Sequence, residues 1–217
     1  MRGKKSAAVL VSGGGTNLQA FIDEIRAGRL DLDLVVVISN NPHAGALERA
    51  RRAGIAAECV LNADYAARAE FDAALASTVD RYRPDLLLLA GFMRILTCAF
   101  VQRYEGRILN IHPSLLPRFP GLDTHQRAID AGDRVHGSTV HFVTERLDAG
   151  PAIMQGRVPI LPDDTAQSLA ARVLAVEHKI YPATIALFAA GRLAYRNGEV
   201  WLDGRRLEAP LQYPTNA

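Results

Sequence analysis

Val9-Leu10-Val11-Ser12-Gly13-Gly14-Gly15-Thr16-Asn17-Leu18 reads as the end of a strand, a glycine turn and the start of a helix. The apolar run Ala7 to Val11 is too short for a buried helix and has the β-branched content of a strand covered on both faces. After the turn, Leu18, Phe21, Ile22 and Ile25 recur at helical spacing. Further along, Leu34-Ser39, Glu58-Leu61, Asp85-Ala90 and Arg107-Ile111 repeat the strand pattern. Phe71, Leu75, Val79 and Tyr82 repeat the helical one and stop before Pro84. Strands alternating with helices in this way predict an α/β fold with a doubly wound, mostly parallel sheet.

Beyond Pro120 the pattern becomes mixed. A helix is expected near Thr124-Ala131, strands at Ser138-Thr144 and Ala152-Ile160, and a long helix opening at Asp163-Asp164. Asn197-Gly198, between Leu193-Tyr195 and Val200-Leu202, marks a two-residue hairpin turn, because both residues tolerate the positive φ that such a turn needs. No repeat, low-complexity stretch or long linker divides the 217 residues, and 49% hydrophobic content supplies a core for one large domain spanning 1–217.

Basic and acidic residues, 25 and 23, are interspersed, so no polybasic block points to nucleic acid or to a membrane surface. The apolar run after Lys4 and Lys5 is shorter than a signal-peptide core and ends in glycines, which argues for a cytoplasmic protein. Cys59 and Cys98, in apolar-looking settings far apart, give neither a disulfide framework nor a metal spacing, and two reduced thiols are expected.

A glycine turn before a helix lets backbone amides approach an anion, and the helix amino terminus adds donors and a favourable dipole. A phosphate suits it. Dinucleotide binding fits less well, since Leu18 stands where the third glycine of the fingerprint belongs and Ile38-Ser39-Asn40 lacks an acid for a ribose. The Gly-Lys-Ser/Thr of a Walker loop is missing as well. A plain tight turn, with Thr16 or Asn17 capping the helix, also accounts for the motif.

Arg107-Ile108-Leu109-Asn110-Ile111-His112-Pro113 places Asn110 and His112 on one strand face, roughly 7 Å apart, at the carboxyl end where open α/β sheets bind ligands. An amide beside an imidazole can stabilise the oxyanion formed when an amine attacks a carbonyl-type carbon, and the imidazole can take part in moving protons. Taken alone, His112 fits a structural histidine beside a proline turn equally well. Pro113 to Gly121, with three prolines, reads as a pocket wall or as a rigid connector. Asp148, in the turn Glu145-Arg146-Leu147-Asp148-Ala149-Gly150-Pro151, would orient the His112 ring if it reaches it, or it punctuates a turn. In the last long helix Leu169, Val173, Val176 and Ile180 form the buried stripe, with Glu177 at its border. His43, His125, His136, His141 and His178 have no metal-ligand spacing and read as packing, surface or accessory groups.

Together the stretches VLVSGGGTNLQA, LLLLAGFMRIL, LNIHPSLLPRFPG, HGSTVHFVTERLDAGP and EHKIYP resemble the phosphoribosylglycinamide formyltransferase family from about Val9 to Gly204. The resemblance implies a Rossmann-like formyltransferase fold with a phosphate-binding half at about 1–110 and a folate and catalytic half at about 111–217. It implies Asn110, His112 and Asp148 as the catalytic trio. Gly15, Thr16 and Asn17 would hold the phosphate of glycinamide ribonucleotide, and Glu177 would engage its glycinamide end. The folate site would comprise Arg68, Met93, Arg94, Ile95, Leu96, Asn110, Thr144 and Asp148; Arg68 has alanine neighbours where relatives have Ser-Arg-Glu, and a surface charge is its other reading. The implied donor is 10-formyltetrahydrofolate, consumed as a cosubstrate, with no metal. The implied partners are these two small molecules, with the chain a monomer or homodimer and no nucleic acid or membrane involved.

Three rivals are weighed. A 10-formyltetrahydrofolate hydrolase shares Asn-x-His and Asp but is expected to carry an amino-terminal regulatory domain, for which there is no room before Val9. Methionyl-tRNA formyltransferase shares Ser-Leu-Leu-Pro-Arg but is expected to carry a basic tRNA-binding domain beyond the point where this chain ends. A non-catalytic nucleotide-binding module explains the glycine loop but not Asn110, His112 and Asp148 together.

Overall fold

The computed structural model describes residues 3–214, which divide into two compact units meeting between Leu109 and Asn110. In the first unit β1 (Lys5–Val11), α1 (Thr16–Arg26), β2 (Leu32–Ser39), α2 (Gly45–Arg52), β3 (Ala56–Cys59), α3 (Arg68–Tyr82), β4 (Leu86–Leu89) and α4 (Cys98–Arg103) follow one another. Its strands lie side by side in the order β3-β2-β1-β4, all parallel, with Val9 facing Val37 on one side and Leu88 on the other. Ala7 to Val11 are fully buried, as expected for a strand with a neighbour on each edge and helices in the connections. The chain passes from one side of β1 to the other between β3 and β4. The loops after β1 and β4 therefore leave from a topological switch point, where such sheets accept ligands.

Leu18, Phe21 and Ile22 form the buried stripe of α1, and α3 ends at Arg83, whose left-handed φ of 46° precedes Pro84. The expected third strand differs from the sequence reading in two ways. It runs Ala56–Cys59 instead of Glu58-Leu61, and it is largely exposed, because it pairs only with β2. Edge position removes the burial that the apolar-run argument assumes.

The second unit orders β5 (Ile108–His112), β6 (Val135–Phe142), β7 (Ala152–Pro159) and β11 (Leu211–Gln212) as β11-β7-β6-β5, with β6 and β7 antiparallel. Between β5 and β6 lies α5 (Thr124–Asp130), and after β7 comes α6 (Ala166–Ala189). A separate antiparallel sheet holds β8 (Leu193–Arg196), β9 (Glu199–Leu202) and β10 (Arg205–Arg206). Its first turn carries Asn197 and Gly198 at φ 50° and 81°, the left-handed pair that an Asn-Gly hairpin requires.

Both ends of β6 and the start of α6 differ from the sequence reading. Strand β6 starts at Val135 and stops before Val143, and α6 begins after Thr165, whose hydroxyl accepts the Ser168 N–H at 3.1 Å. Asp164, expected to open that helix, instead caps the preceding turn by accepting the Leu161 N–H at 2.7 Å. Cys59 and Cys98 are free thiols, and both are exposed where the sequence reading placed them in apolar settings.

Helix α6 lies against β7 so closely that a Cβ on Gly156 would come within 2.1 Å of Val176 Cγ1 and 2.9 Å of Ile180 Cγ2. Only glycine fits. Gly156→Ala should therefore destabilise the protein by about 1–3 kcal/mol through overpacking, lowering the thermal midpoint by several degrees. An unchanged midpoint in a melting experiment would contradict this packing.

Candidate active site

The glycine turn of the first unit is shaped by α2. Gly15 has φ 73°, and a Cβ there would sit 2.6 Å from the Cβ of Ala46, so both conformation and space require glycine. Gly13 O accepts the Ala46 N–H at 3.2 Å, and Gly14 O accepts from Arg49 Nε at 2.7 Å. Because a trans peptide directs its N–H opposite to its C=O, the amides of Gly14 and Gly15 turn away from α2. Gly15 is the residue preceding α1 and makes no side-chain cap; Thr16 and Asn17 are the helix's first two residues, not its caps. Thr16 is exposed and Asn17 is buried.

The stretch after β4 is fixed through its backbone. Ser12 Oγ accepts the Met93 N–H at 2.8 Å, and the carboxylate of Asp72 on α3 accepts the Thr97 N–H at 2.6 Å. Met93 and Ile95 are left exposed at 68% and 55%, whereas Leu96 is buried. The Arg94 guanidinium stacks 4.2 Å over the Phe71 ring. Arg68, the first residue of α3, is exposed.

In the second unit β5 delivers Asn110 and His112 to one cluster. Asp148 joins it from the turn after β6, in a left-handed conformation (φ 49°) that is uncommon for aspartate. Its Oδ2 accepts the Gly121 N–H at 2.8 Å and lies 3.5 Å from His112 Nδ1, while Oδ1 lies 3.9 Å from His141 Nε2. The His112 and Asp148 side chains are each only 7% exposed. His112 Nε2 is 2.9 Å from the Phe119 carbonyl, which can only accept, so Nε2 carries a hydrogen. By the same argument His141 Nδ1 donates to the Phe142 carbonyl at 2.9 Å. Its Nε2 is then the bare nitrogen that accepts from Asn110 Nδ2 at 3.2 Å.

Burial pushes the His141 imidazole down to about 4, outweighing the Phe142 bond and the Asp148 charge that oppose it, so the ring is neutral near pH 7. His136, its ring edge-on to His125 at 5.2 Å, is likewise pushed down to about 4 by burial. Glu177 on α6 is buried. Ser138 Oγ donates to the His112 carbonyl at 2.7 Å and lies 3.1 Å from Glu177 Oε1, which places this acid beside the backbone of β5. Thr144 is half-buried in the turn leading to Asp148, its hydroxyl 3.5 Å from the Arg146 carbonyl.

The predicted trio thus converges, and Glu177 is linked to it. His141, read from sequence as a packing, surface or accessory group, belongs to the cluster, and Ser138 and the Phe119 carbonyl were missed. Strand alternation puts His141 on the face opposite Ser138, but the register shifts between Val140 and His141, and such a bulge re-aims the side chain that follows. Among the described residues no group of three or more His, Cys, Asp or Glu is placed to hold a metal ion.

A histidine whose pKa is lowered by folding contributes stability that is present above its ordinary 6.5 and is lost as pH falls from there toward 4. Chemical denaturation at pH 7.5, 6 and 5 should show this loss in the parent protein. His141→Gln, which does not titrate, should flatten the fall; an equally steep fall would contradict the neutral buried ring.

The formyl transferase family model matches residues 5–185. The phosphoribosylglycinamide formyltransferase of Escherichia coli K12 is 49% identical over 92% of this chain and 94% of its own. The solved phosphoribosylglycinamide formyltransferase from Coxiella burnetii superposes with a TM-score of 0.93, at 48% identity, over 98% of this chain and 100% of that one. A formyltetrahydrofolate deformylase from Pseudomonas syringae is more distant, at 25% identity and a TM-score of 0.85, with 93% of this chain and 66% of that one covered. At these levels of identity and coverage, this chain belongs to the phosphoribosylglycinamide formyltransferase family.

Proposed function

We propose that this protein transfers the formyl group of 10-formyltetrahydrofolate to the primary amine of glycinamide ribonucleotide, a step of purine synthesis, in the cytoplasm. The observation that carries the proposal is the cluster of Asn110, His112 and Asp148, in which a half-buried Asn110 meets the buried His141 and Asp148 lies beside both histidines, with Ser138 between His112 and Glu177. The amine nitrogen attacks the formyl carbon, and a C–N bond forms. The formyl oxygen takes the negative charge, the bond to the folate nitrogen breaks, and that nitrogen receives the proton the amine gives up.

Each residue has a part that follows from its chemistry. An amide nitrogen has two hydrogens; Asn110 directs one to His141 and offers the other to the oxyanion. His112 Nε2–H already donates to a carbonyl oxygen, that of Phe119, and the oxyanion would be the stronger acceptor in that place. Asp148 lies behind the ring, 3.5 Å from its Nδ1. A neutral His141 is needed for this arrangement, because a protonated one could not accept from Asn110. Glu177 engages the glycinamide end. The turned-out amides around Gly15, Thr16 and Asn17 suit the phosphate. Folate carries carboxylates, and Arg94 and Arg68 are cations with no ion pair among the described residues. Backbone groups of Met93–Leu96, with Thr144, would line the donor's site. No metal is required by this scheme, and monomer and homodimer are both compatible with it.

The deformylase reading shares the trio but delivers the formyl group to water, so one assay separates the two. Absorbance at the folate bands should change only when donor and ribonucleotide are both present; donor turnover without ribonucleotide would favour hydrolysis. In that assay Asp148→Asn should keep both KM values within a small factor while kcat falls on the order of a hundredfold or more, because the lost charge matters most as the intermediate forms. A folded variant with near-normal kcat would remove Asp148 from the catalytic trio.

A further inference from the structure

Ser12 lies at the switch point of the first unit, between β1 and the glycine turn, and three loops close on it. Its backbone N–H donates to Gly91 O at 3.0 Å, in the loop after β4. Its hydroxyl accepts the Met93 N–H at 2.8 Å from the same loop and donates to Asn40 Oδ1 at 2.6 Å, in the loop after β2. Asn41 Nδ2 reaches its carbonyl at 3.5 Å. One hydroxyl has one hydrogen and two lone pairs, so it can make both of its bonds at once, and the Asn40 bond fixes the lone pair that Met93 uses. The Met93 side chain is 68% exposed, so at this position the loop is held by its backbone and not by the side chain.

We propose that Ser12 is a positioning residue shared by both substrates of the transfer reaction, a proposal that rests on the function given above. It touches neither substrate. Its hydroxyl, bonded to Asn40 on one side and to the Met93 amide on the other, ties the residue that opens the phosphate-holding glycine turn to the Met93–Leu96 backbone that faces the folate donor, so the placement of both depends on it. Asn40, which sequence patterning read only as the non-acidic end of a strand, orients that hydroxyl.

Ser12→Ala keeps the main-chain bonds and removes both hydroxyl bonds without leaving a cavity. It should raise the apparent KM for the formyl donor and for the ribonucleotide together, each by roughly three- to tenfold, the usual effect of one lost hydrogen bond. Hydrogen exchange at the Met93 amide should speed up, while the thermal midpoint stays close to the parent's. Ser12→Thr, which retains the hydroxyl, should bring both KM values back toward the parent's. Should Ser12→Ala not fold, Asn40→Ala removes the orienting acceptor and is expected to raise both KM values in the same way. A rise in one KM alone, no rise in either, or a matching collapse of the thermal midpoint would overturn the proposal. If the parent protein shows no ribonucleotide-dependent transfer, the functional reading falls with it; an active parent with an unresponsive variant overturns the role of Ser12 alone.

Discussion

One carboxylate oxygen, Oδ2 of Asp148, holds two pieces of chain in relation to each other: the Gly121 amide at 2.8 Å and the His112 ring at 3.5 Å. Gly121 ends the proline-rich loop that leaves β5, and His112 ends β5 itself, so the oxygen closes that loop back on the strand that emits it. The left-handed backbone at Asp148, costly for a non-glycine residue, is the conformation in which the carboxylate makes both contacts. Without this closure the Phe119 carbonyl has no reason to lie against His112 Nε2. The ring would be held from neither side.

The rest of the cluster follows from deciding which nitrogen carries which hydrogen. Two backbone carbonyls, of Phe119 and Phe142, can only accept, and they fix the hydrogens of His112 and His141. Burial keeps His141 neutral, and a neutral His141 in turn fixes which way the Asn110 amide points. Under the proposed function these donors would be aimed at the oxyanion before the substrate arrives, so little reorganisation would be needed when charge develops. Ser138 donates its hydroxyl hydrogen to the His112 carbonyl and lies 3.1 Å from Glu177 Oε1, so one side chain borders both groups.

How much of this was legible in the sequence depends on the period of the signal. The parallel strands β1, β2 and β4 were legible because a strand buried on both faces is an apolar run, and β3 was misplaced because an edge strand is not. The Asn-Gly hairpin was legible from the φ angles those residues tolerate. Asn110 and His112 followed from strand alternation at the end of β5. Asp148 and Glu177 entered through the resemblance, since a turn aspartate and a helix-border glutamate each have an ordinary explanation. His141 was not legible, because the register shift in β6 breaks the alternation that would have revealed it. The Phe119 carbonyl has no side-chain signature at all.

Under the proposed function His112, with Asp148 behind it, stabilises charge on the formyl oxygen and does not serve substrate binding. The most direct measurement is single-turnover formyl transfer by His112→Asn at saturating ribonucleotide, with the dissociation constants of both substrates measured alongside. The rate constant should fall by on the order of a hundredfold to a thousandfold, with both dissociation constants within a few-fold of the parent's. A rate constant near the parent's, or a loss found wholly in substrate binding, would contradict it.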